Sequence, residues 1–226
     1  MILDPTVIPA SDRSIQVQFG DEISEDLHHQ VFLFTQGLLA SSHQAISNIS
    51  PGYSSVLVRL HHKTTLAEGM DTIAAALKDG HPGDTILKRT IEIPVCYEDE
   101  FGPDLGRVLK HTGYDKEELI KRHTLGRYLV YFLGFSAGFP YIGGMDESLA
   151  TPRLEAPRKA VPAGSVGIAG QQTGIYPLST PGGWNLIGRT PLPLFNRSNP
   201  KDTSIRMGDR IRFHTVGRAE FESLGQ

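Results

Sequence analysis

From Tyr128 to Phe195 the sequence is crowded with glycine and proline, and yet it is rich in residues that pack. It contains Gly134-Phe-Ser-Ala-Gly-Phe-Pro-Tyr, Pro157-Arg-Lys-Ala-Val-Pro-Ala-Gly, Gly174-Ile-Tyr-Pro and Pro181-Gly-Gly-Trp-Asn-Leu-Ile-Gly-Arg-Thr-Pro. Glycine opens positive φ and proline fixes φ near about −65°, so a chain punctuated this often turns in defined ways. A disordered segment would lack the aromatic and aliphatic residues set between these turns. The region therefore reads as ordered loops on a β scaffold, the kind of place where binding and catalytic groups are presented. Tyr128–Leu133, Val166-Gly-Ile-Ala, Gly174-Ile-Tyr, Trp184-Asn-Leu-Ile and Arg210-Ile-Arg-Phe supply short strands, with Gly208-Asp209 turning into the last. Helical periodicity is absent after His123, so a barrel or sandwich is expected.

The residues before this region alternate differently. Ile15, Val17 and Phe19 have period two and end at Gly20. Ser24 then suits an N-cap, and Leu27, Val31, Phe34 and Leu38 fall on one helical face. Ala45–Ser50 gives a second, weaker strand, Pro51-Gly52 a turn, and Val56, Val58 and Leu60 a third strand. Thr65 and Glu68 have capping-box spacing, opening a helix through Leu66, Met70, Ile73 and Leu77 that Gly80 would stop. Ile91, Ile93 and Val95 complete a βαββαβ order, the ferredoxin-like arrangement. An α+β domain over residues 1–95 is expected. Residues 96–226 would then hold a short helical connector and the mostly β domain. In that connector Pro103 starts a helix ended by Gly113, and Asp115 with Glu118 caps another running to His123.

Composition narrows the function classes. The 226 residues are 39% hydrophobic and 21% charged, ordinary for a globular chain with a real core. A net charge of −3 offers no basic excess for binding a nucleic-acid backbone. Cys96 is the only cysteine, which leaves no intrachain disulfide, and its apolar neighbours make it a filler rather than a nucleophile. The start, Met1-Ile-Leu-Asp-Pro, has no basic segment leading into an apolar core, and no apolar run nears the ~20 residues of a membrane helix. A cytoplasmic protein without a membrane segment is expected.

Three short motifs can be weighed on their chemistry. Gly134-Phe-Ser136-Ala-Gly138 has the G-x-S-x-G form, followed by Asp202 or Asp209 and then His214, the Ser, Asp, His order of α/β-hydrolases. That motif works only at a strand-to-helix elbow, and Phe139-Pro140-Tyr141 with Gly143-Gly144 cannot continue as a helix. Gly164-Ser-Val-Gly167-Ile-Ala-Gly170 lacks the dinucleotide spacing, and no P-loop sequence occurs. His28-His29 and His61-His62 are adjacent pairs whose side chains diverge on a regular element, so no metal site is expected. The polar residues among the glycines carry more weight: Arg153, Arg158, Lys159, Gln171, Gln172, Thr173, Tyr176, Asn185 and Arg189. Guanidinium forks and amides together suit a carboxylate, a carboxamide or an acyl phosphate. Tyr141, Tyr176, Trp184 and Phe195 either fill the core or floor the same cleft.

Several long motifs, in order, carry a family resemblance. They are Gly102-Pro-Asp-Leu, His123-Thr124, Leu133-Gly-Phe-Ser-Ala-Gly-Phe-Pro-Tyr-Ile-Gly-Gly, Pro152-Arg153, Pro157-Arg158, Val161-Pro-Ala-Gly-Ser-Val-Gly-Ile-Ala-Gly, Thr173-Gly-Ile-Tyr-Pro, Pro181-Gly-Gly-Trp and Gly188-Arg-Thr-Pro. With these the chain resembles the KipI/PxpB family, also labelled allophanate hydrolase subunit 1, over nearly its whole length. Ala137 departs from the pattern, standing where many relatives carry proline, which bears on loop stiffness. The resemblance implies a cyclophilin-like β-barrel after the α+β domain. It also implies service as the B subunit of an ATP-dependent 5-oxoprolinase, using ATP with Mg²⁺ to open 5-oxoproline to glutamate. Its partners would be a C subunit (KipA/PxpC-like) and an A subunit (PxpA-like). Two other roles occur among related sequences: inhibition of a sensor histidine kinase, and half of a urea carboxylase carboxyltransferase. Under the oxoprolinase reading, motif position and residue type make Arg158, Arg189 and His123 the catalytic candidates. Gln171, Thr173 and Tyr176 are the substrate-binding candidates.

Overall fold

A computed structural model describes residues 4–78, 89–199 and 203–225 of the chain. Two compact units divide it, Met1–Leu87 and Lys88–Gln226.

The first unit is a four-stranded antiparallel sheet with two helices. Its strands are β1 (Thr6–Ser11), β2 (Ser14–Gln18), β3 (Ile46–Pro51) and β4 (Ser55–Leu60), in the spatial order β1-β2-β4-β3. Helix α1 (Glu25–Ser41) packs on β3 and β4, and α2 (Leu66–Lys78) packs on β2. The local chemistry follows the sequence. Ser24 Oγ accepts from Leu27 N–H at 3.3 Å. Glu68 Oε2 accepts from Thr65 N–H at 2.8 Å, while Thr65 Oγ1 accepts from Glu68 N–H at 3.3 Å. Ile15, Val17, Val56, Val58, Val31, Phe34 and Ile73 have no exposed surface and form the core between sheet and helices. Gly80, expected to stop α2, lies outside the described residues.

The expected βαββαβ order does not hold. Ile91, Ile93 and Val95 lie in β5 (Thr90–Val95), which pairs in the second unit, and the sheet edge beside β2 is held by β1. The first unit is thus ββαββα. An edge strand whose side chains face water needs only its backbone to pair, and β1 is almost wholly exposed, including Ile8 and Pro9. No apolar alternation marks such a strand.

The second unit is built on a seven-stranded sheet. After β5 come α3 (Leu105–Thr112), α4 (Lys116–Leu125), β6 (Tyr128–Leu133), β7 (Pro140–Gly143), β8 (Arg158–Val161), β9 (Ser165–Ala169), β10 (Gln172–Ile175), β11 (Thr180–Gly182), β12 (Asn185–Arg189), β13 (Arg210–Thr215) and α5 (Arg218–Leu224). The spatial order is β12-β9-β10-β7-β6-β13-β5, antiparallel except for the parallel pair β13 and β5. The two edges meet. Cys96 N–H donates to Arg189 C=O at 2.9 Å and Arg189 N–H to Cys96 C=O at 3.0 Å, so the sheet curls into a nearly closed barrel. Gly188 permits this seam, because a Cβ there would lie 2.7 Å from Val95 Cγ1 and 2.9 Å from Cys96 O. Ile93, Val130, Ile142, Val166, Ile168, Ile175 and Phe213 fill the interior, joined by Leu105, Val108 and Leu119 from α3 and α4.

Four elements depart from expectation. The Phe139-Pro140-Tyr141 stretch, read as loop, enters β7, with Pro140 as its first residue, where proline is tolerated. Strands β8 and β11 form a separate two-stranded ribbon. Helix α5 follows His214 and has no buried residue of its own. It is held by Phe221 against Phe101, ring centroids 4.4 Å apart.

Candidate functional site

Alternation along four neighbouring strands of the barrel builds an aromatic cleft on its outer face. Ile142, Val166, Ile168, Ile175 and Ile187 point inward to the barrel core. Their neighbours Tyr141, Ala169 and Leu186 belong to a second cluster with Phe139, Val161, Tyr176 and Trp184. Two outward positions are glycines, and the rings occupy the space they leave. A Cβ on Gly174 would sit 2.9 Å from Phe139 Cζ and 3.0 Å from Trp184 Cζ3. Phe139 is the hub, meeting Tyr176 at 5.2 Å, Tyr141 at 5.3 Å, Trp184 at 5.4 Å and Phe135 at 5.5 Å, all edge to face. Such pairs add about 1 kcal/mol each beyond burial. The cleft above them has a volume of about 480 Å³, with Arg153, Leu154, Pro157, Pro181, Gly182 and Gly183 completing its walls.

Backbone and polar anchors hold these walls. Asn185, fully buried, donates from Nδ2 to Pro152 C=O at 2.9 Å and to Ile168 C=O at 3.1 Å, and its Oδ1 accepts from Arg107 Nε at 3.0 Å. Leu154 N–H donates to Gly183 C=O at 2.8 Å. Arg153 is therefore an exposed side chain on a segment fixed at both flanks. Burial pushes the Tyr176 phenol up. A hydrogen bond from the Trp184 backbone and the charges of Arg153 and Arg158 oppose that shift.

The six candidate residues are not gathered in one place. Tyr176 lines the cleft. Arg158 stands behind Trp184, with Nη2 2.5 Å from Asp104 Oδ1 and Nη1 3.5 Å from Trp184 C=O. Thr173 and His123 face the barrel interior with no exposed surface. His123 Nδ1 lies 2.7 Å from Tyr97 Oη and Nε2 lies 3.1 Å from Thr173 Oγ1, which itself donates to Gly167 C=O at 3.1 Å. This chain of bonds fixes a neutral tautomer: the Tyr97 hydroxyl donates to Nδ1 and the Nε2 hydrogen goes to Thr173. Burial lowers the His123 pKa from 6.5 to about 3. Arg189 lies on the barrel seam, its Nε donating to Ala163 C=O at 2.8 Å. Gln171 is exposed on the turn between β9 and β10.

The residues of the serine motif do not form a triad. Ser136 is followed by β7 rather than by a helix. Asp209 is taken up by Arg89, at 3.0 Å from Nε and 2.8 Å from Nη2, and by Arg206 N–H at 2.7 Å. His214 is exposed, with its Nδ1 3.8 Å from Glu92, and Asp202 lies outside the described residues. Nor does the cleft fit a magnesium triphosphate. It presents ring faces and one guanidinium, Arg153, and among the described residues no three His, Cys, Asp or Glu side chains gather as metal ligands.

Sequence reasoning left Arg153 without an assigned role and missed Phe135 and Phe139. The usable signal was the strand alternation that places Gly167 and Gly174 opposite buried aliphatics. Phe135 is 64% exposed and holds a left-handed φ of 62° at the cleft mouth, a conformation that costs a residue with a Cβ roughly 1 kcal/mol or more. We expect Phe135→Gly to be more stable than Phe135→Ala by about 1 kcal/mol, since both lose the ring and only alanine keeps the strain. Paired urea melts check this; equal midpoints would remove the strain.

The matching family description is the carboxyltransferase domain, subdomain C and D, over residues 5–205. The chain is 38% identical to the 5-oxoprolinase B subunit of Bacillus subtilis (strain 168), covering 94% of this chain and 93% of that one. It is 44% identical to the 5-oxoprolinase B subunit of Escherichia coli O157:H7, covering 72% and 75%. Among solved structures TTHA0988 is similar, with a TM-score of 0.79 and 30% identity over 91% of this chain and 40% of that longer one. Matched through most of its length, and aligned with the Bacillus protein almost end to end, the chain belongs to the family of 5-oxoprolinase B subunits, which is built on carboxyltransferase subdomains C and D.

Proposed function

We propose that this chain acts as the B subunit of an ATP-dependent 5-oxoprolinase. As a non-autonomous part of a cytoplasmic complex with C and A subunits, it would help to open 5-oxoproline to glutamate. The observation that carries the reading is the 38% identity to the Bacillus subtilis protein across 93% of its length. A lactam is resonance-stabilised, so opening it at neutral pH calls for activation of its carbonyl and for donors held on the substrate. The cleft is suited to orient a substrate. The serine motif supplies no nucleophile with its base, so the chemistry is assigned to the assembled complex, and the pocket for ATP and Mg²⁺ to a place other than this cleft. Within the complex we assign Tyr176 to the substrate wall and Arg158 to its support. His123 and Thr173 are assigned to the barrel behind it. The barrel is cyclophilin-like in this reading without being an isomerase, because a fold does not carry an activity.

The test is 5-oxoproline-dependent ADP release by the three purified subunits, with and without this chain. Turnover is expected only when this chain is present. Three folded, associated subunits that release no ADP would remove 5-oxoproline as the substrate, and inhibition of a sensor histidine kinase would be measured next.

A further inference from the structure

We infer that the aromatic cleft seats a small ring-bearing carboxylate, with the Arg153 guanidinium as the anchor for its carboxylate group. The ring acid named here, 5-oxoproline, rests on the oxoprolinase reading; the geometry of the site does not.

Arg153 differs from its neighbours in being available. Arg158 is committed to Asp104 and Arg189 to Ala163 C=O, whereas no described residue pairs with the Arg153 guanidinium. It sits at the rim of a cleft whose other walls are ring faces, prolines and glycines. A cation at the edge of apolar surface draws an anion more strongly than one in open water. A single planar fork matches one carboxylate in two parallel hydrogen bonds, while phosphate sites collect several cations or backbone N–H groups. The anchor is also placed: Asn185 holds Pro152 on one side of it and Gly183 holds Leu154 on the other.

The rest of the cleft selects for a ring. Phe139, Tyr141, Tyr176 and Trp184 form a preassembled floor of edge-to-face contacts, which a flat five-membered ring can cover without reordering side chains. Gly182 and Gly183 bring bare backbone to the cleft lining, where a lactam amide can find a peptide partner. Gly182 has no room for a side chain, since a Cβ there would overlap the Tyr176 ring.

Trp184 is the only tryptophan of the chain and lies in the cleft wall, so its emission reports occupancy directly. The full chain is titrated with 5-oxoproline and, as a carboxylate-free control, with 2-pyrrolidinone. A saturable change is expected with 5-oxoproline, and binding at least about tenfold weaker with 2-pyrrolidinone. Arg153→Met should weaken 5-oxoproline by a similar factor, leave 2-pyrrolidinone unchanged, and be partly rescued by Arg153→Lys. In the assembled complex Arg153→Met should raise KM for 5-oxoproline at least about tenfold. An unchanged affinity and KM in Arg153→Met would overturn the assignment, as would the absence of any saturable change in both the free chain and the complex. The two readings fail separately. ADP release with no effect of Arg153→Met removes the cleft and keeps the oxoprolinase role, whereas Arg153-dependent binding without ADP release does the reverse.

Discussion

Replacing Asp104 with alanine is expected to destabilise the barrel unit by about 3 kcal/mol, and to loosen the wall that carries Trp184. Asp104 is 8% exposed and does three things at once. Its Oδ1 takes Arg158, its Oδ2 accepts from Leu186 N–H at 2.7 Å, and its own N–H donates to Leu186 C=O at 3.0 Å. Alanine keeps only the last. The Leu186 N–H is then buried without an acceptor, a loss of about 1–3 kcal/mol, and Arg158 is left without its counter-charge. Because the Arg158 side chain is 30% exposed, water takes up part of that charge and the total stays below the upper range for buried pairs. Asp104→Asn should lose less, since an amide oxygen can still receive the Leu186 N–H. Urea unfolding followed by Trp184 emission reads both variants. A cycle with Arg158→Met then separates two meanings of that arginine. If Arg158 only supports the wall, Arg158→Met and Asp104→Asn lower turnover of the complex in proportion to their loss of stability. A collapse of turnover in Arg158→Met alone, with stability kept, would place the guanidinium on the reacting atoms instead.

The same residues show what a sequence can and cannot reveal. Ser24, the Thr65 and Glu68 pair, and Asp115, whose Oδ1 accepts from Glu118 N–H at 2.8 Å, were legible because capping is settled within one turn. Ile91, Ile93 and Val95 were legible as a strand, but alternation says nothing about which sheet a strand joins. Membership was decided by β13, 120 residues away at the Glu92–Arg212 pair. The cleft was half legible. Tyr141, Tyr176 and Trp184 among glycines marked a floor, while Phe195 proved to pack under Gly138 instead. Arg153 and Arg158 are the same residue type in similar Pro-Arg contexts. What divides them is Asp104, 54 positions from Arg158 and brought there by the barrel. His123 stood out as a polar residue in a family motif, yet both its partners, Tyr97 and Thr173, are distant in sequence. Chemistry that depends on pairing across a fold is invisible until the fold is known.

That buried histidine gives the last large effect, and its sign depends on pH. Neutral His123 keeps the Tyr97 hydroxyl supplied with an acceptor in a place where neither group meets water. Substituting leucine preserves an apolar fill against Phe213, whose ring lies 4.6 Å from the imidazole, and strands the Tyr97 hydroxyl. His123→Leu should therefore be less stable than the parent at pH 7 by about 2 kcal/mol. Acid reverses the comparison. The folded pKa of about 3 lies below the ordinary value of 6.5, so between those limits the unfolded chain binds a proton that the folded one refuses. The parent keeps its full stability above pH 6.5 and loses about 1.4 kcal/mol for each further pH unit, approaching about 4 kcal/mol by pH 3. The leucine variant has no such proton to bind and is spared this loss. The two stability curves should cross near about pH 5, with the variant the more stable of the pair below it. Urea unfolding at pH 7, 6, 5 and 4 decides the matter, and parallel curves for the two proteins would mean that His123 is solvated or charged in the folded chain.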